Sequence, residues 1–263
     1  MLEFIRLARK RGVIANLFRV IFNVIFVAVT VTLVLVFPDT LWPALVLLLL
    51  SKWRTIAVRP RYWWMNIVSS LPDVAFGSAM VTLMWLSGRN LSLAGGWSWL
   101  PPVILGLVYI GWLLWLKPRD DKTSVFWQAG LAQFFATVAI FDLAASLPLV
   151  LVMTLMFAVA YGAAHQVLGQ FEEDETTLLS LVYGFIVTVI SFAAWHWTVG
   201  YAIGNVITIP QVAIIIATLG FAIAKLYNAH VTVGIKWSTV GWPLVACGVM
   251  IFLVTFIGGA LFI

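Results

Sequence analysis

The sequence predicts an all-α, polytopic membrane protein, and three observations predict it. Hydrophobic residues make up 63% of the 263 residues and charged residues 10%, whereas about half of a soluble domain is apolar. Apolar runs of about twenty residues recur along the chain, enough to cross a hydrocarbon core of about 30 Å, while a transmembrane barrel would show short alternating segments. The basic residues gather in alternate connections between those runs, the distribution expected of cytoplasmic loops.

This length leaves room for one transmembrane domain over residues 1–263, with a short basic N-terminal segment, 1–12. The net charge of +5 is topological, so no nucleic-acid partner is expected. The expected partners are the lipid bilayer, anionic lipid at the cytoplasmic face and other membrane subunits. One cysteine, Cys247, lies in an apolar run and excludes an intrachain disulfide. Neither a cofactor nor a metal is expected.

The first expected helix covers about 14–37 and ends at the turn Pro38-Asp39-Thr40. The second, from Leu41, is apolar only to Leu50 before Lys52 and Arg54, so it is short or re-entrant. Tyr62–Leu86 forms the third, 97–116 the fourth, and 124–168 the fifth and sixth, with a hairpin near Ala144–Pro148. The seventh is expected at 177–202, the eighth at 206–226 and the ninth at 241–262. Nine crossings, or eight if the second is re-entrant, result. With a cytoplasmic N-terminus, nine crossings leave only Arg89 among the lysines and arginines outside, the arrangement expected in the plasma membrane. Tryptophans such as Trp63, Trp64, Trp115 and Trp127 fall near helix ends, as in an aromatic belt.

The third expected helix carries the most informative residue. Asp73 falls near its middle, where a charge is costly and points to function. At about 100° per residue, Asn66, Ser69, Asp73, Gly77, Met80 and Met84 share one narrow stripe. Pro72 withdraws a backbone donor from Val68 beside the acid. No Lys, Arg or His is expected at that depth, so Asp73 is expected to be an uncharged acid hydrogen bonded to a freed carbonyl or to Gln133. Asp142 and His196, at equal depth on parallel-running helices, are a further expected polar pair.

Glu172-Glu173, Phe192-Ala-Ala-Trp-His196 and His230 together resemble the paired-glutamate, FxxxH and HxxxN/D series of the intramembrane CAAX-type proteases. Thr177 stands where that family has arginine, and the last motif would end at Gly234. The acidic run 172–175 reads as a solvated loop. The sequence therefore points first to a small-solute or ion permease with a binding site at Asp73, Asn66, Ser69, Gly77 and Gln133. The alternative is a non-catalytic subunit or scaffold of a larger complex, and the remote alternative is an intramembrane enzyme.

Overall fold

The computed structural model describes residues 2–93, 97–171, 173–197, 199–203, 206–232 and 234–257, with the side chains of 2–15, 54, 56, 93, 239 and 257 left aside. Glu172 of the acidic run, Gly95 and Gly96 of the loop before Trp97, and residues 258–263 of the last expected helix lie outside the described residues.

The chain is a helical bundle: 84% is helical, and among the described residues six helices are long and apolar enough to cross a membrane. Helix α1 (Leu2–Val36) is continuous, so the basic segment extends the first span instead of forming a separate element. Helices α2 (Trp42–Ser51) and α3 (Trp53–Ile56) are short. Ten residues of α2 rise about 15 Å, half a hydrocarbon core. Helix α4 (Trp63–Leu93) passes through Pro72 as one α-helix. Helix α5 (Leu100–Gly111) continues as a π-helical turn, Trp112–Leu116. Then come α6 (Lys122–Asp142), α7 (Leu149–Leu168), α8 (Thr176–Trp197), α9 (Gln211–Thr232) and α10 (Trp237–Phe252).

Helices α4 and α6 are central, with 61% of the residues in each apolar window buried against 17% in α1. Small residues set how closely neighbours approach. A Cβ on Gly162 of α7 would lie 2.6 Å from Leu71 Cβ of α4, and one on Gly106 of α5 would lie 2.8 Å from Val31 Cγ2 of α1. One aromatic cluster centres on Phe76, which stacks on Trp112 at 3.7 Å between ring centroids and meets Phe135 edge-on at 5.6 Å.

The expectation that the seventh helix runs to 202 and the eighth starts at 206 is corrected by a β-hairpin. Strands β1 (Gly200–Ile203) and β2 (Ile207–Pro210) pair antiparallel, with Tyr201 opposite Ile209. The β-branched run Val206-Ile207-Thr208-Ile209 favours extended backbone, and Pro210 ends the ladder where α9 begins. Asn90 Nδ2 donates to Val206 O at 3.3 Å and ties the hairpin to the far end of α4. Beneath it is a cavity of about 170 Å³ lined wholly by apolar side chains, among them Leu83, Leu105, Phe134, Ile203 and Ile207.

Candidate functional site

Asp73 is not alone at its level. Its Oδ2 accepts from Lys52 Nζ and, at 2.7 Å, from Lys117 Nζ, while its Oδ1 accepts from Trp112 Nε1 at 3.3 Å. The expectation of an acid with no cation in reach is overturned. Lys52 caps the C-terminus of α2, and Lys117 follows the π-turn at the end of α5. Both helices run antiparallel to α4 and stop beside its first third, so their ends deliver two ammonium groups to one carboxylate.

The π-turn makes this convergence possible. Five residues advance about 500° in an α-helix, which would leave Trp112 and Lys117 about 140° apart. Closing the backbone bond from Lys117 N to Trp112 O, at 2.9 Å, stacks the two residues on one side. The indole and the ammonium group then reach the two oxygens of the same carboxylate. Gln128 of α6 holds this end in place, its Nε2 donating to Leu116 O at 2.7 Å and Arg119 O at 2.8 Å. Gln166 of α7 in turn donates to Gln128 Oε1 at 2.9 Å.

From Trp63 to Asp73, α4 rises about 15 Å, and from Asp73 to Leu93 about 30 Å. Burial follows the same division. Met80 and Met84 are 0% exposed, whereas Trp63, Trp64 and Met65 are exposed.

The expected stripe divides at this level. Asn66 and Ser69 lie on the surface side, where Ser69 Oγ donates to its own helix at Asn66 O, 3.1 Å away. Gly77 lies on the packed side, where a Cβ would stand 2.8 Å from Tyr109 Oη and 2.9 Å from Leu48 Cδ1. Its missing side chain is thus the space into which α2 and α5 pack. Gln133 does not bond to Asp73. Its Oε1 accepts from Tyr183 Oη of α8 at 3.1 Å, and its Nε2 has no partner among the described residues.

Asp142 and His196 are not joined by a hydrogen bond or ion pair among the described residues. The Asp142 carboxylate lies beside the backbone of Thr208 in the hairpin, while His196 is exposed beside the rings of Phe192 and Trp197, at 5.1 and 6.0 Å. The protease-like series does not converge either. Helix α8 separates Glu173 at its start from His196 at its end by about 30 Å. Glu173 instead accepts from Tyr227 of α9, so the acidic run is anchored at one point and not wholly solvated. Among the described residues, no three His, Cys, Asp or Glu side chains come together to hold a metal.

Sequence reasoning missed Lys52, Trp112 and Lys117 as partners of Asp73. The signal was the abrupt end of the second and fourth apolar runs at a lysine, which fixes depth only once the level of Asp73 is known. Comparisons with protein-family models, with curated proteins and with solved structures gave no match to this chain.

Proposed function

We propose that the chain is a non-catalytic, multi-pass membrane subunit in which the small and polar stripe of α4 is a packing seam and not a pathway. The observation that carries this reading is the filling of the seam above Asp73. Leu48 and Tyr109 occupy the space over Gly77, and Met80 and Met84 are wholly buried beyond it. A permeating solute would have to part α2 and α5 from α4 along that seam and break the ion cluster at its base. A fixed, doubly paired carboxylate serves better as a clamp on three helix ends than as a site that releases an ion on each cycle.

The topology proposed with this reading has nine crossings in the plasma membrane, with a cytoplasmic N-terminus. In it α2, α5 and α10 are short crossings, and the loops at 52–61, 117–122, 169–177 and 227–238 lie on the cytoplasmic side. The meeting of Lys52 and Lys117 on Asp73 supports a common face for the first two of these loops, and the bias of basic residues supports its orientation.

The test is uptake into proteoliposomes across a panel of small solutes and ions, with and without a proton gradient. The subunit reading expects no flux above protein-free vesicles. Gradient-driven uptake that Asp73→Asn abolishes, in a variant that still folds and inserts, would overturn it in favour of the permease.

A further inference from the structure

We propose that the Lys52, Asp73 and Lys117 cluster is a binding site for the phosphate of an anionic lipid headgroup. The first reason is charge. Two ammonium groups share one carboxylate oxygen, so the cluster carries a net positive charge while the Lys52 and Asp73 side chains are only 16% and 19% exposed. A partly buried charge without a counter-ion is costly, and an anion from outside the bundle supplies the counter-ion.

The second reason is hydrogen-bonding capacity. An ammonium group has three donors, and among the described residues Lys52 Nζ and Lys117 Nζ have Asp73 as their one carboxylate partner. Asp73 holds the two groups side by side and neutralises one of them. Their remaining donors suit the several oxygens of a phosphate. Lys117, with 42% of its side chain exposed, is the open side of the site.

The third reason is level. The exposed rings of Trp53 and Trp115 lie within two residues of Lys52 and Lys117, as expected of a belt at headgroup depth. Arg59, Arg61, Arg119 and Lys122 lie in the adjoining turns, against Asp120 and Asp121. Asp121 is committed to capping α6 through Ser124 N. The local balance remains positive and favours an anionic headgroup over a zwitterionic one.

This inference rests on the membrane placement proposed above but not on the sealing of the seam, so uptake and lipid binding fail independently. The experiment reconstitutes the full chain in nanodiscs of phosphatidylcholine, with or without phosphatidylglycerol. It measures the thermal midpoint and, by native mass spectrometry, the lipid retained. The expected result is a higher midpoint and enriched phosphatidylglycerol for the parent protein. Apparent affinity should fall about tenfold in Lys117→Gln, as for loss of one charge-assisted contact. Lys117→Arg should keep the enrichment and guards against a folding defect in the glutamine variant. Lys225→Gln, which removes a cation outside the cluster, should also leave it unchanged. Equal retention in the parent and Lys117→Gln, or no preference for phosphatidylglycerol, would overturn the proposal. Full stabilisation of phosphatidylcholine discs by millimolar inorganic phosphate alone would assign the site to a free anion and overturn the lipid assignment.

Discussion

Asp73→Asn tests the cluster at the scale of a single residue. Asparagine keeps the size of aspartate and its hydrogen-bonding capacity, so it would be nearly silent if the acid were an isolated hydrogen-bonding group. Here it leaves two ammonium groups adjacent with no anion between them. Breaking such a largely buried pair costs on the order of 3 kcal/mol. Unfolding of the detergent-solubilised protein should show that loss, with Lys52→Gln close behind. Lys117→Gln leaves the Lys52 and Asp73 pair intact, and its side chain is 42% exposed, so its cost should not exceed about 1 kcal/mol. Equal losses for the two lysines would contradict this ordering. At Gly77 the expected effect is steric. The Cβ of Gly77→Ala would lie 2.8 Å from Tyr109 Oη and 2.9 Å from Leu48 Cδ1, and overpacking of this kind costs about 1–3 kcal/mol. The same unfolding measurement reads it, and Leu48→Ala in the same chain should recover part of the loss if α2 is the element displaced.

Element boundaries explain which parts of the site could be read from sequence. At the N-terminus of α6, Asp121 stands three residues before Ser124, whose backbone N–H donates to Asp121 Oδ2 at 3.1 Å. Hydrogen bonds from Ser124 hold the Asp121 carboxyl below its ordinary value near 3.8. A carboxyl lowered on folding contributes stability above that ordinary value and loses the contribution as pH falls through its folded value. Protection factors in the first turn of α6, measured relative to the intrinsic exchange rate at each pH, should therefore fall on acidification, and in Asp121→Ala they should be low at every pH. The π-turn at Trp112–Leu116 was not legible, because the run Trp112-Leu-Leu-Trp-Leu116 has no period that separates a π-turn from an α-turn. Its effect, bringing Trp112 and Lys117 to one face, depends on the Asp73 partner across the interface. The hairpin was missed for a related reason. Its consecutive β-branched residues lie within an apolar stretch that is equally compatible with a helix, and tertiary contacts such as Asn90 to Val206 decide between the two.

For the whole molecule, fold class follows from composition and run length, and the placement of the functional residues does not. Apolar runs identify helices whether they are central, like α4, or peripheral, like α1, since lipid and protein interior are both apolar. The stripe on α4 therefore carried no information on what covers it. The cover comes from α2 and α5, whose lengths and rotations are set by Gly77, Leu48, Tyr109 and the ion cluster below them. The central claim is that this seam is closed, and cysteine accessibility in membranes tests it most directly. In a Cys247→Ser background, Met80→Cys and Met84→Cys should resist a membrane-impermeant maleimide from both sides, while Ser69→Cys, at the exposed end of the same stripe, reacts from one side. Labelling of Met80→Cys or Met84→Cys at a rate comparable to Ser69→Cys would show a water-filled path along α4 and contradict the account.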